Sequence, residues 1–313
     1  MKFIPLIALT CAAAAAFAAD PPIPLGPNAD LGGRLLPPPS SEWNRDISRD
    51  PADPNSATLI ASIGAAKPLH IDFGTVWKGA PNGIPYVVVD SRTPRVPVTF
   101  QYNDESDPGP YPIPPDAPIE GGPKREGDRH ILMLERDTMK LYELFHAFPP
   151  DGGKGWHAGS GAIFDLRTGK SRPAGWTSAD AAGLPILPGL ARYDEIAIHK
   201  ELRHALRFTV QKTRRAYVPP ATHFASRSDD PKLPPMGMRV RLRADFNTVG
   251  FCPNARVILD GMKKFGLILA DNGNDWFVCG APDPRWNDDE LQSLRKVKCG
   301  DFEVVKMGPM TTR

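Results

Sequence analysis

The rest of the chain is organised around one segment, Trp176 to Tyr217, with the sequence WTSADAAGLPILPGLARYDEIAIHKELRHALRFTVQKTRRAY. The segment opens as a loop that is rich in Gly and Pro and yet apolar. It then passes through a polar turn over residues 192–200 into a strand-like run over residues 203–210. Long loops inside compact domains are usually tied down and often line a site. We therefore expect this segment to form the wall and floor of a pocket.

Short β-branched and aromatic runs, separated by turn residues, precede and follow this segment, and they predict strands. The predicted strands cover residues 86–90, 96–102, 129–135, 140–146, 161–166, 203–210, 238–244, 267–271, 276–279 and 302–306. Two adjacent pairs predict hairpins, one joining 129–135 to 140–146 and one turning around Asn272-Gly273. This pattern favours a mainly β fold, specifically an antiparallel β-sandwich or jelly-roll-like domain with loop insertions.

Helical periodicity is confined to short stretches. Residues 56–63 predict a short helix with Asn55 as its cap. Residues 254–265 carry an apolar stripe that ends at Gly266, which predicts a second helix. A third is expected over residues 288–296, so two short helices should lie near the C-terminus.

The N-terminus has the pattern of a secretory signal peptide, which we expect to span residues 1–19. A single Lys2 precedes an apolar run that ends in Ala16-Phe17-Ala18, and small residues at these spacings suit signal peptidase. Residues 20–42 are rich in Pro and are expected to be extended and weakly ordered. Residues 43–313 are expected to form a single β-rich domain. The protein should therefore be secreted or periplasmic.

Charge and motifs exclude several classes of protein. The chain has 38 Lys+Arg against 36 Asp+Glu and no basic patch, so nucleic acid is not an expected partner. No apolar run after the first is long enough for a transmembrane segment. Phosphate-loop, nucleophile-elbow and metalloprotease motifs are absent from the sequence, and no cofactor is predicted. Export permits a disulfide among Cys252, Cys279 and Cys299, but the pairing stays open. The sequence does not predict an oligomeric state.

Candidate catalytic residues lie on strands or at their ends. Hydrolysis of a glycosidic bond needs two carboxyl groups that face each other across it. A polysaccharide lyase instead needs a base and a cation that neutralises a uronate carboxylate. We expect His204, Arg207, Glu135 and Asp271 to lie near such a site. Strand alternation places His204 on an apolar face, with Glu135 or Asp271 as its expected partner.

Aromatic and polar residues in loop-like contexts predict a sugar-binding surface. Aromatic faces beside hydrogen-bonding groups suit sugar rings. The candidate substrate-binding residues are Trp176, Trp276, His223, Tyr217 and Asn272. The competing interpretation is structural, because strand-end Asp residues form turns and tryptophans pack in cores.

These patterns favour an exported carbohydrate-active protein that acts on a polysaccharide or oligosaccharide as a glycoside hydrolase or lyase. The alternative is a non-catalytic carbohydrate-binding or cell-surface protein. A third interpretation is a copper or zinc protein that uses two or three converging histidines. The histidines considered for it are His130, His146, His157, His204 and His223.

Several blocks of sequence also point to export. They are DESDPGPYPIP, SGAIFDL, RPAGWTSADAAGLPILPGLARYDEIA, RHALRFTV, RAYVPPATHFAS and MKKFGLILADNGNDW. Together they resemble a broad set of exported bacterial proteins that have no assigned activity, over about residues 43–306. The resemblance implies export and a single β-rich domain, and it supplies no catalytic residues.

Overall fold

The computed structural model describes residues 21–150 and 155–312. The predicted signal peptide lies outside these residues. The protein consists mostly of strands in several sheets with a few short helices, at 24% strand and 16% helix, and one sheet curls into a half-barrel. The mainly β prediction is therefore confirmed.

Fifteen strands are present in the described residues. In chain order they are β1 (Gly26–Pro27), β2 (His70–Asp72), β3 (Val76–Trp77), β4 (Ala80–Pro81), β5 (Tyr86–Val89), β6 (Val98–Phe100), β7 (Ile131–Glu135), β8 (Lys140–Phe145), β9 (Trp156–Ala158), β10 (Ser160–Asp165), β11 (Leu206–Val210), β12 (Arg239–Leu242), β13 (Leu267–Asn272), β14 (Phe277–Cys279) and β15 (Phe302–Val304). The prediction from sequence missed β1, β2, β3, β4 and β9, all of which are only two or three residues long.

The first sheet has the order β1-β5-β7-β8-β10. Strands β7, β8 and β10 form an antiparallel meander, and the predicted hairpin that joins β7 to β8 is confirmed. Strands β5 and β7 run parallel, as do β6–β9, β11–β13 and β14–β2 elsewhere in the protein. The expectation of purely antiparallel pairing is therefore wrong.

The second sheet has the order β15-β12-β13-β11-β14-β2. Strand β11 lies between β13 and β14, parallel to the first and antiparallel to the second. The predicted hairpin around Asn272-Gly273 is wrong for this reason: both strands form, but they do not pair with each other. Every residue of β11 is buried, and a strand buried on both faces favours a central position in a sheet.

A β-bulge interrupts the pairing of β11 with β13. Phe208 pairs with Leu269, but the next residue, Thr209, pairs with Asp271, so Ala270 is an extra residue. A shift of one residue turns the following side chains to the other face of a sheet. Asp271 therefore lies on the same face as Thr209 and Arg207.

The three α-helices lie close to their predicted positions. Helix α1 (Ser56–Ile63) has the predicted bounds, with Asn55 at its N-cap position. Helix α2 (Pro253–Lys264) starts one residue early because Pro253, which suits the first turn, follows Cys252 at the cap. Helix α3 (Asp288–Gln292) continues as a 3-10 helix over Ser293–Lys296.

The Pro-rich segment is packed rather than weakly ordered. Gly26 and Pro27 pair with Val88 and Val87 of β5, and Leu31 is fully buried. The prediction of a weakly ordered segment is wrong because its few apolar residues reach the core. Among the described residues, no helix has the length and apolar character needed to cross a membrane.

Candidate functional site

An open pocket of about 360 Å³ lies between the second sheet and the loop that precedes β7. We refer to it as the acidic pocket, because five carboxyl side chains line it. They are Asp72, Glu120, Glu126, Asp128 and Asp271. This concentration of ionisable groups in a concavity makes the pocket the candidate site.

Four neighbouring strands carry the floor of the acidic pocket. In sheet order, β13 contributes Asp271, β11 contributes Arg207, β14 contributes Cys279 and β2 contributes Asp72. Phe208 pairs with Val278, which places Arg207 level with Cys279, and Cys279 pairs in turn with Asp72. The floor is therefore a row of side chains on one face of the sheet, with a carboxyl group at each end.

Arg207 is held by a bidentate ion pair with Asp180. Its Nε donates to Asp180 Oδ2 at 2.7 Å, and its Nη2 donates to Asp180 Oδ1. The remaining contacts of the guanidinium are Cys279 Sγ, 2.7 Å from Nη1, and Asp271 Oδ2, 3.5 Å from Nη2. Asp180 is fully buried. The cation is thus fixed in place, and most of its donors are already used by protein groups.

Asp271 is poised to hold a proton. Burial and the negative charge of Asp180, with which it shares a hydrogen bond, raise the pKa of Asp271 well above its usual range. Arg207 opposes this rise without cancelling it. The side chain of Asp271 is 20% exposed. A carboxylic acid that stays protonated and reaches solvent can act as a general acid.

Asp72, at the other end of the row, also has a raised pKa. Burial, and then the negative charge of Glu120, raise the pKa of Asp72 to about 6. This carboxyl group is therefore ionised at neutral pH. Two carboxyls with shifted pKa values in one pocket can divide the roles of acid and base between them.

The opposite wall contains an imidazolium–carboxylate pair. His130 donates from Nδ1 to Glu120 Oε2 at 2.6 Å and from Nε2 to the carbonyl of Ala179 at 3.1 Å. Burial opposes the charge on the ring, but Glu120 raises the pKa of His130 to about 9. Both ring nitrogens thus carry protons at neutral pH, and His130 is not a free base.

Glu120, Asp128 and His130 are also the residues best placed to hold a metal ion. Their ligand atoms all lie within 4.8 Å of one another, and carboxylate with imidazole suits a divalent cation. The group contains one histidine, whereas the third interpretation of the sequence required two or three.

An exposed tryptophan stands at the mouth of the acidic pocket. Strands β3 and β4 form a small hairpin, and Trp77 on it lines the pocket while remaining 59% exposed. Asp288 holds the base of the hairpin by accepting hydrogen bonds from the backbone and hydroxyl of Thr75. A large aromatic face that stays in solvent beside hydrogen-bonding groups suits a sugar ring.

Some of the predicted catalytic residues line the acidic pocket, and others lie elsewhere in the structure. Arg207 and Asp271 line the acidic pocket. Glu135 is buried on the first sheet, paired with Arg95 and with the hydroxyl of Thr138. It does not line the acidic pocket.

His204 is 2% exposed and lies outside the acidic pocket. Its Nε2 lies 3.0 Å from Glu195, and its Nδ1 donates to the carbonyl of Ala205. The expectation that Glu135 or Asp271 is its partner is wrong, because the polar turn before β11 supplies a nearer carboxylate. His204 and Glu135 therefore have structural partners and no access to the acidic pocket.

The predicted substrate-binding residues are also divided. Asn272 lines the acidic pocket, but Trp176, Trp276, His223 and Tyr217 do not. Trp276 is fully buried between Phe208 and Phe302, with ring centroids 5.2 Å from each, and therefore cannot present a sugar platform.

Trp176, Tyr217 and His223 have local partners of their own. Tyr217 is 7% exposed. Trp176 lies against the guanidinium of Arg172, and His223 donates to the carbonyl of Ala181.

Sequence reasoning missed Asp72, Trp77, Asp180 and Cys279. Trp77 lies in the Gly-rich run VWKGAPNG, a context that suits an exposed aromatic, and this signal was available. Asp180 lies in the opening segment, but nothing local distinguishes it from a turn-forming Asp. Cys252, Cys279 and Cys299 are all free thiols, and burial raises the pKa of Cys279 to about 12, so its thiol is not a ready nucleophile.

Comparison of the chain with protein-family models, with curated proteins and with solved structures found no match.

Proposed function

We propose that this is an exported carbohydrate-active enzyme that hydrolyses a glycosidic bond of a polysaccharide in the acidic pocket. The observation that carries the proposal is the pair Asp72 and Asp271, two carboxyls with separate pKa shifts in one pocket beside the exposed Trp77. Export rests on the N-terminal sequence pattern and the resemblance. We also propose that the two larger sheets pack against each other as a β-sandwich.

Asp271 acts as the acid in this proposal. It donates its proton to the glycosidic oxygen as the bond to the anomeric carbon breaks. Asp72, ionised above about pH 6, takes a proton from the water that attacks that carbon. The reaction consumes one water molecule, and exchange with solvent returns both carboxyls to their starting states.

The spacing of the two carboxyls favours attack by water over attack by Asp72 itself. Their strands are three positions apart in the sheet, roughly 14 Å between backbones at the usual strand spacing. A retaining enzyme needs its carboxyls about 5 Å apart and an inverting enzyme about 6.5–9.5 Å apart, so the backbone separation fits the inverting spacing when the two side chains lean toward each other. We expect the product to have the inverted anomeric configuration.

Arg207 favours hydrolysis over a lyase reaction. A lyase would need a cation free to neutralise the carboxylate of a uronate. The guanidinium of Arg207 instead contacts Asp180, Cys279 and Asp271.

The test is turnover of a panel of neutral and uronate-containing polysaccharides by the mature protein. We expect new reducing ends without the ultraviolet absorbance of an unsaturated lyase product. Asp271→Asn and Asp72→Asn should each lower the rate by roughly 10²- to 10⁴-fold, the usual contribution of a general acid or base. Asp245→Asn, at an exposed position outside the pocket, is the matched control.

Two results would contradict hydrolysis. One is cleavage that persists in both pocket variants, and the other is the ultraviolet absorbance of an unsaturated product alongside the new reducing ends, because elimination also creates a reducing end. Retention of a polysaccharide by the wild-type protein and by Asp271→Asn, with no cleavage by either, would favour the alternative of a non-catalytic binding protein. The exposed Trp77 is the observation that supports that alternative.

A further inference from the structure

A second, shallower groove of about 330 Å³ lies beside the acidic pocket. Strands β6 and β9, which pair in parallel, form one side of it, and the end of β8 with the residues after it forms the other. The side chains that line it are Thr99, Phe100, Gln101, His146, Phe148 and His157. None of these is a carboxylate, Lys or Arg, so the groove differs in chemistry from the acidic pocket.

A single stretch of chain, residues 127–129, separates the two concavities. Asp128 and Arg129 line the acidic pocket. On the other side, His146 donates from its backbone to the carbonyl of Asp128 at 2.6 Å and from Nδ1 to the carbonyl of Gly127 at 3.0 Å. The guanidinium of Arg129 lies 4.4 Å from the ring centroid of Phe148. The pocket and the groove are thus adjacent faces of one ridge.

The groove offers the groups that bind an uncharged sugar. Phe148 is 37% exposed and presents an apolar surface, and Gln101 is exposed with both donors and an acceptor. The Nδ1 of His146 is occupied by a carbonyl, and His157 Nδ1 lies 2.5 Å from the hydroxyl of Thr99. Within the described residues, neither ring has a hydrogen bond from Nε2, so this atom of each ring can meet a sugar hydroxyl. Aromatic surface with convergent polar groups is typical of carbohydrate recognition.

We propose that the groove is a second sugar-binding subsite, which holds the same neutral polysaccharide chain whose scissile bond lies in the acidic pocket. The chain crosses the ridge of residues 127–129 between the two. Both concavities are open, so the enzyme engages the polymer within its length rather than at an end. This inference rests on the proposed function and adds the substrate class, a neutral polymer bound over several sugar units.

The experiment measures how substrate length affects Phe148→Ala and, separately, Gln101→Ala. The probes are three soluble neutral polysaccharides, namely a β-glucan, a xylan and a glucomannan, together with their disaccharides and aryl glycosides. Polymer affinity is measured by gel retardation in the Asp271→Asn background and turnover in the wild-type background. Tyr102→Ala, an exposed aromatic next to Gln101 that does not line the groove, is the matched control.

We expect each groove variant to lose roughly threefold to tenfold in polymer affinity, the usual worth of an aromatic contact. Disaccharide binding and aryl glycoside turnover should stay unchanged. Equal effects on short and long ligands, or no effect, would overturn the second subsite while the pocket chemistry stands. Failure of the wild-type protein to bind any of the three polymers would overturn both proposals. The Gln101→Ala result decides the question if Phe148→Ala does not fold.

Discussion

The protein contains two buried arginine–carboxylate clusters of similar composition and different surroundings. In the pocket cluster, Arg207 pairs with Asp180 and contacts Asp271, whose side chain reaches the acidic pocket. In the sealed cluster, Arg192 pairs with Asp194 and Glu195, and Glu195 also contacts His204.

No member of the sealed cluster lines the acidic pocket. Residue types alone do not separate the two clusters. The exposure of one carboxyl group to solvent does separate them.

The pKa shifts of the carboxyl groups also differ between the two clusters. In the sealed cluster burial opposes the charge of Glu195, but Arg192 lowers the pKa of Glu195 below its usual range, so the carboxylate stays ionised. In the pocket cluster Asp180 takes two donors of Arg207, and burial together with the charge of Asp180 raises the pKa of Asp271. The first arrangement stabilises a fixed structure, whereas the second keeps a proton available.

Breaking the sealed cluster should give the largest effect on stability. Arg192→Met leaves Asp194 and Glu195 buried without their cation, which usually costs about 3–5 kcal/mol. Urea denaturation measures the loss, and Arg243→Met at an exposed position is the control. Activity per folded molecule should be unchanged. A denaturation midpoint equal to that of the wild-type protein would show that the cluster contributes little.

Glu143 sharpens the comparison, because it is sealed like Glu195 and yet has a raised pKa. It accepts hydrogen bonds from the backbone of Ile186 and Leu187, and burial raises its pKa from 4.5 to about 7. The folded state therefore binds this proton more tightly than the unfolded state. Its contribution to stability is complete below pH 4.5 and is lost as the pH rises through about 7.

Glu143→Gln should remove this pH dependence. Over that range the wild-type protein should lose roughly 3 kcal/mol more of its free energy of unfolding than the variant does. Urea denaturation at several pH values gives the difference, with Glu201→Gln at an exposed site as the control. Parallel pH curves for the wild-type protein and Glu143→Gln would contradict the shift.

His204→Ala tests the interpretation of the sealed cluster directly. Removing the imidazole should cost about 1–3 kcal/mol, because Glu195 loses a buried hydrogen-bond partner. Turnover per folded molecule should be kept. The opposite result, lost turnover with stability retained, would restore the catalytic role that the sequence suggested for His204.

Trp77→Ala should give the smallest effect and should confine it to binding. We expect an increase in KM equivalent to about 1 kcal/mol and a change in stability within about 0.5 kcal/mol, as at most surface positions. Val76→Ala is a close control, because Val76 is 61% exposed on the same hairpin and does not line the pocket. Equal KM changes in the two variants would argue against a sugar platform.

Local patterns predicted the strands and helices but not how distant strands combine. The bounds of α1 and the β7–β8 hairpin follow from short-range rules, and both are confirmed. The pairing of β11 between β13 and β14 depends on contacts about 60 residues apart along the chain, which no local signal contains.

The candidate site likewise combines residues that local patterns predicted with residues that they did not. Arg207, Asp271 and Asn272 were identified as strand residues with suitable chemistry. Asp72 and Asp180 belong to the site only because tertiary packing brings them to Cys279 and Arg207.

The extra residue in β13 has a consequence for anyone who edits this chain. With regular pairing, Asp271 would stand opposite Val210, a fully buried residue on the packed side of the sheet. Regular pairing with Ala270 still in place would therefore keep every proposed catalytic residue in the sequence and yet turn Asp271 away from the pocket. The bulge carries functional information that no substitution scan would reveal, and a graft of the site onto another scaffold must copy the pairing register of this strand as well as the residue identities.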